Sequence, residues 1–146
     1  MSATQWDERF MALAEHVGSW SKDRGRQVGC AIVAPDNTVV AIGYNGFPRG
    51  LDDDNEERHS RPAKYLWTEH AERNAIYAAA RKGTPIVGCR MYLPWFPCAD
   101  CARGIVQVGL VEVIGRQPEL SDPRWGPDFK VSLELLEEAG VSIRFL

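Results

Sequence analysis

Two short runs hold residue types that can do chemistry together: His70-Ala71-Glu72 and Pro97-Cys98-Ala99-Asp100-Cys101. Cys98 and Cys101 stand three apart at the start of an expected helix, so their sulfurs can converge on one metal ion. A helix N-terminus favours thiolates, because its free amides and its dipole lower a thiol pKa. His70 opens another expected helix and supplies a third ligand. Three ligands of N and S type suit zinc, and a fourth position left open suits catalysis rather than structure. Residues two apart on a helix do not face the same way, so Glu72 is poorly placed as a fourth ligand and better placed as an acid/base. Zinc held by two thiolates and a neutral imidazole is formally uncharged and a weaker Lewis acid than a three-histidine site. Two helix N-termini and a carboxylate partner compensate, bringing bound water toward a pKa of about 7. A lone CxxC also fits a redox pair or half of a structural zinc site. Neither Cys30 nor Cys89 has a nearby ligand partner, however, and the upstream HxE with Pro97 before the pair favours a catalytic zinc centre.

The elements that must position these residues follow from periodicity. Residues 4–21 carry Trp6, Phe10, Leu13, Ala14, Val17 and Trp20 at helical spacing, with Thr4 as N-cap. Two β-branched runs, 30–33 and 39–42, flank Pro35-Asp36-Asn37 and read as an antiparallel hairpin. Residues 45–68 form the longest stretch without periodicity, and a loop of that length is usually functional or mobile. Strong helix formers run from His70 to Lys82, stopped by Gly83 and Pro85. A strand at 91–93, a helix from Cys98 to Val108, a strand at 111–114, a helix from Asp128 to Ala139 capped by Gly140, and a strand at 141–145 complete the chain. Strands alternating with helices after a hairpin predict an α/β fold, a mixed sheet covered by helices on both faces.

Composition bounds the reading. The chain has 146 residues, 45% hydrophobic and 25% charged, which is ordinary globular composition and excludes disordered, coiled-coil and fibrous classes. No repeat or linker divides it, so residues 1–146 read as one domain. No apolar run reaches the roughly 18 residues of a membrane helix. The segment MSATQWDERF lacks a signal-peptide layout, so the expected location is the cytoplasm, with thiols rather than disulfides. A net charge of −3 implies no bulk attraction to nucleic acid or to an anionic membrane. The 17 basic residues divide into 13 Arg and 4 Lys, and Arg suits forked recognition of phosphate.

The pattern H-x-E followed by P-C-x-x-C is the signature of zinc-dependent nucleobase deaminases. HAERNAI (70–76) and MYLPWFPCADC (91–101) resemble the cytidine and deoxycytidylate deaminase superfamily, and SKDRGRQVGCAIV (21–33) and GYNGFPRG (43–50) are similar to segments of its deoxycytidylate (dCMP) branch. The likeness runs from about residue 19 to residue 114, whereas 116–130 match poorly. It implies a three-layer αβα cytidine-deaminase-like fold on a five-stranded mixed sheet. It implies hydrolysis of dCMP to dUMP and ammonia, with His70, Cys98 and Cys101 holding one Zn2+ and Glu72 as proton shuttle. Zinc hydroxide would attack the amine-bearing ring carbon while Glu72 protonates the adjacent ring nitrogen and then the departing ammonia. Asn45 is the candidate for contacting sugar or base. Many relatives form homo-oligomers, hexamers among them, and respond to dCTP and dTTP, so a homo-oligomer (hexamer or dimer) is expected and dCTP and dTTP are candidate effectors that the motifs themselves do not show. Some relatives hold a second zinc with extra Cys and His from the 45–68 region. Only His59 is present there, so one zinc is expected.

Two departures stand out. Pro94-Trp95 is unusual before FPC, where Trp95 is expected to narrow or cover the pocket, and PELSDPRWGPDF (118–129) is atypical. Arg24, Arg26 and Arg49 fall in the family-like segments and are the candidates for a 5′-phosphate. Trp125 reads either as a lid stacking on a base or as a packed rim residue. Asn74 is expected to brace its helix start, Cys30 and Cys89 to be inert core thiols, His16 to be a surface histidine, and Asp52-Asp53-Asp54 a solvated loop. The rival enzymes are same-fold deaminases of cytidine, a modified cytosine nucleotide, guanine or tRNA adenosine. The tRNA enzymes typically carry Glu where this chain has Phe96, and the pI of about 5.6 lacks an RNA-binding footprint. A non-catalytic zinc module is the rival from another class, and it has no use for Glu72.

Overall fold

A computed structural model describes residues 1–146. Helix α1 (Ala3–Gly18) leads into a hairpin of β1 (Gly29–Val33) and β2 (Val39–Tyr44). Two single-turn helices follow, α2 (Glu56–His59) and α3 (Lys64–Trp67), and then α4 (Ala71–Lys82). The remainder alternates: β3 (Arg90–Leu93), α5 (Ala99–Gln107), β4 (Glu112–Gly115), α6 (Gly126–Glu138) and β5 (Ser142–Phe145). The sheet has five strands in the order β2-β1-β3-β4-β5. β1 pairs antiparallel with both β2 and β3, while β3, β4 and β5 run parallel. This is the expected mixed sheet.

All five residues of β1 are buried, because both faces of that strand are covered and side chains alternate between them. Cys30 and Ile32 join Met91, Leu93 and Val113 on one face, against residues of α4, α5 and α6 such as Ala75, Ile105 and Phe129. Ala31 and Val33 join Tyr92 and Ile114 on the other, against Phe10 of α1. Helices therefore cover both faces as expected, but unequally, three against one.

Local expectations differ from the structure in three places. The N-cap of α1 is Ser2, not Thr4: Ser2 Oγ accepts from the Gln5 N–H at 3.3 Å, and the Gln5 carbonyl oxygen accepts from the Ser2 N–H at 2.8 Å. This reciprocal capping box satisfies two backbone donors that Thr4 would have left open. The helix also ends at Gly18, three residues before the expected boundary. The aperiodic stretch 45–68 contains α2 and α3, each too short to carry an apolar period.

Two interactions fix the elements around the site. Gly43 of β2 lies against the first turns of α4, where an added Cβ would stand 2.4 Å from the Ala75 nitrogen and 2.5 Å from the Ala71 oxygen. Asn74 of α4 donates to the Tyr44 carbonyl at 2.8 Å, so its bracing reaches across to the strand. On the opposite face, Asp7 of α1 accepts from Tyr92 Oη at 2.6 Å and from Arg144 Nη1 at 2.7 Å. Burial raises the Asp7 pKa, but the hydrogen bonds from Arg144 and Tyr92 outweigh it and leave it below the ordinary aspartate value. Burial likewise pushes the Tyr92 hydroxyl up to about 12.

Gly43→Ala forces α4 off the sheet. It is expected to lower stability by at least about 2–3 kcal/mol in urea unfolding and to reduce activity with it. Asp7→Ala leaves the O–H donor of buried Tyr92 without an acceptor, although its oxygen still accepts from Arg90, and is expected to cost about 2–3 kcal/mol at neutral pH. Because the folded-state pKa of Asp7 is depressed, its contribution is full above the ordinary aspartate pKa and is lost as pH falls through the folded value. The gap between wild type and variant, followed by unfolding at stepped pH, must therefore close in acid; a constant gap would remove the charge from the explanation.

Candidate active site

The site is assembled at one edge of the sheet. The register places Gly29 opposite Tyr44, and Ala31 opposite Tyr92, so the start of β1 and the ends of β2 and β3 meet at the same edge. β3 has β1 on one side and β4 on the other, which leaves a crevice at its carboxyl end.

Two helices begin there. His70 is the N-cap of α4 and Cys98 the N-cap of α5, each in extended backbone conformation and neither making a side-chain capping bond. His70 Nδ1 is 3.4 Å from Cys98 Sγ and 3.4 Å from Cys101 Sγ. The ligand atoms of the three residues all lie within 4.8 Å of one another, and no other His/Cys/Asp/Glu group in the chain is so arranged. Two sulfurs and one imidazole nitrogen converging at this spacing fit a zinc ion, with one position left for a reactant.

The electrostatics agree. A hydrogen bond from Cys101 draws the Cys98 thiol down to about 4 against the opposing effect of burial, with help from His70 and the Cys101 backbone N–H. Cys101 is pushed up by its bond to Cys98 and by burial. His70 is raised, first by its hydrogen bond to Cys98. Glu72 is 3% exposed, and burial lifts its carboxyl above the ordinary value, opposed by the positive charge of His70. Neighbouring elements hold the cysteine turn in place: Asp128 Oδ2 of α6 accepts from the Ala99 N–H at 2.8 Å, and Ser132 Oγ donates to the Pro97 carbonyl at 2.7 Å.

His70, Glu72 and Cys98 floor a cavity of about 660 Å³, within the usual range for small-molecule sites. Asn45 lines it and is 8% exposed. Its Oδ1 accepts from the Val28 N–H and its Nδ2 donates to the Arg26 carbonyl, both at 2.8 Å. Arg26 lines the cavity as well, with its guanidinium over the Trp95 ring. Trp125 is a half-buried wall residue stacked on Phe129, with ring centroids 6.4 Å apart. Arg24 and Arg49 are not brought to this cavity. Arg24 is bound to Glu56 instead, and Arg49 is exposed.

The wall also contains Arg61, Lys64, Tyr65, Arg73 and Arg124, which sequence reasoning missed. Lys64 pairs with the buried Asp23 at 3.1 Å, and Arg73 pairs with Glu69 at 2.8 Å. Arg73 follows the HxE motif directly and was the one recoverable from position alone. The others stand in segments without periodicity.

A family model describing the cytidine and deoxycytidylate deaminase zinc-binding region matches residues 4–116. The chain belongs to this family. An uncharacterised deaminase of the luxG 3′ region in Aliivibrio fischeri is 41% identical to it, over 98% of this chain and 95% of the relative. The deoxycytidylate deaminase of Homo sapiens is 40% identical, over 96% of this chain and 79% of the relative. The crystal structure of the dCMP deaminase of cyanophage S-TIM5, in complex with dCMP and dUMP, aligns with a TM-score of 0.80 at 26% identity. That alignment covers 100% of this chain and 99% of the phage chain. The deaminase thus shares its five-stranded sheet and helical layers with a nucleotide-bound relative along its whole described length.

Removing either kind of ligand tests the cluster. Cys98→Ser and His70→Ala are each expected to abolish stoichiometric zinc in the purified deaminase, measured by atomic emission, whereas Cys89→Ser keeps it. Full zinc retention in both ligand variants would place the metal elsewhere.

Proposed function

We propose that this deaminase hydrolyses the 4-amino group of dCMP, giving dUMP and ammonia, in a site floored by His70, Cys98, Cys101 and Glu72. The observation that carries the reading is the convergence of the imidazole and the two thiols at 3.4 Å beside a carboxyl that is 3% exposed. The family likeness supplies the substrate class, and the phage relative supports dCMP in particular.

His70, Cys98 and Cys101 are the zinc ligands in this reading, and zinc held there supplies an activated water as nucleophile. Glu72 moves the protons. Its buried carboxyl is raised toward the protonated form, so it can give a proton to the ring nitrogen beside the carbon under attack and then return one to the departing amine. The proton count closes: water leaves its oxygen on the ring carbon, one of its protons on the ring nitrogen and the other on the amine, which departs as ammonia with its own two hydrogens. Asn45, already tied to the Arg26 and Val28 backbone, keeps one N–H and one lone pair for sugar or base. Trp125 borders the base as part of the wall.

Control by dCTP and dTTP and assembly into a dimer or hexamer belong to the same reading. Leu66, 90% exposed between Tyr65 and Trp67, supports a surface covered by another copy. The four free cysteines are in keeping with a reducing cytoplasm. No helix is long and apolar enough to cross a membrane.

Ammonia release from dCMP, CMP, deoxycytidine, cytidine, guanine and adenosine, followed with the zinc-loaded protein, tests the substrate. dCMP is expected to lead, and turnover of none of the six would sink the reading. Glu72→Gln is expected to lower kcat for dCMP by at least about 100-fold while zinc stays bound. Loss of the metal in that variant would show that Glu72 is a ligand instead.

A further inference from the structure

The cavity is graded in charge from floor to mouth. At the floor, Glu72 and Cys98 are buried. At the mouth stand three exposed arginines, Arg26, Arg61 and Arg124. Lys64 and Arg73 stand in ion pairs with Asp23 and Glu69, whereas these three have no ion-pair partner. A dianion keeps most of its hydration at such a mouth and still meets opposite charge, so a phosphate fits there better than at the floor.

Among the three, Arg26 lies closest against an aromatic face. Its guanidinium carbon lies 3.5 Å from the centre of the Trp95 ring, while Arg124 stands 4.8 Å from Tyr65 and 5.4 Å from Trp125. Trp95 is itself fixed, edge-on to Phe129 of α6 at 5.5 Å and 68°. The neighbouring acid, Asp122, spends Oδ1 on the backbone N–H groups of Arg124 and Trp125, both at 2.8 Å. No side-chain hydrogen bond engages Arg26. A guanidinium stacked through its face keeps its N–H donors free at the edge, the fork that matches two phosphate oxygens. Holding it beforehand reduces the ordering cost of binding.

We propose that Arg26, seated on Trp95, is the 5′-phosphate clamp by which this deaminase selects a nucleotide over a nucleoside. Trp95 is the positioning residue, serving as a platform for the clamp and not as a cover over the base. The inference rests on the reading of dCMP as substrate and adds the residue pair that discriminates it from deoxycytidine.

The test compares kcat and KM for dCMP and deoxycytidine in wild type, Arg26→Ala, Arg26→Lys and Trp95→Leu. Arg26→Ala is expected to lower kcat/KM for dCMP about 10- to 100-fold more than for deoxycytidine, mostly through KM. Arg26→Lys recovers part of the preference, because charge returns without the fork. Trp95→Leu shifts the ratio the same way by about 3- to 10-fold. Calorimetric binding of dUMP against deoxyuridine should show the same ordering without turnover. Equal losses on both substrates in Arg26→Ala indicate a merely structural role and overturn the clamp. A wild type that prefers dCMP while Arg26→Ala keeps that preference overturns the clamp alone. A wild type indifferent to the phosphate overturns the dCMP reading and the clamp together. A shifted ratio in Arg26→Ala with none in Trp95→Leu overturns the platform.

Discussion

The structure depends on two helix N-termini aimed at one point. α4 and α5 each begin with a residue that could have capped its own helix, and in both the side chain is turned toward the other helix instead. A helix start left with open amides is costly unless something negative or hydrogen-bonding occupies it. At α5 that role falls to Asp128, which reaches across from α6 to accept from the Ala99 N–H. The close approach of α4 to β2 at Gly43 and the Ser132 bond to Pro97 set the angle at which the two helices meet.

The cavity above this point separates a buried carboxyl from exposed positive charge. Glu72 is held where burial favours its protonated form. The unpaired guanidiniums lie at the mouth, where solvent keeps their charge inexpensive and leaves the carboxyl beneath in a drier setting. Lys64 and Asp23, nearly buried together, tie α3 to the segment that carries Arg26. The wall is therefore braced by ion pairs that cancel, and the charges left over are those able to meet a ligand.

Much of the floor was legible in the sequence because its information is local. The spacing of Cys98 and Cys101, and the HxE run at a helix start, are satisfied within one turn of backbone and need only a partner to face. The strands were legible for the same reason, since β-branched runs and glycine stops act over a few residues. The mouth was not legible. Lys64, Tyr65 and Arg124 come from segments without a period and reach the cavity through tertiary contacts such as Arg124 over Tyr65. Arg24 shows the converse: its family-like setting suggested phosphate, but Glu56, from the aperiodic stretch, engages it. Ser2 was passed over as a cap because the apolar period begins later, although Gln5 three residues on completes the box.

The family match ends at residue 116, yet the helix that follows reaches back to the cysteine turn through one carboxylate and one hydroxyl, Asp128 and Ser132. Those two bonds lie within the first turns of α6, while Arg124 and Trp125 stand just before it. The reactive floor and the wall that frames a substrate are therefore fastened at a single seam. A lineage can recut residues 118–125, changing which molecules enter, and leave the catalytic turn where it is.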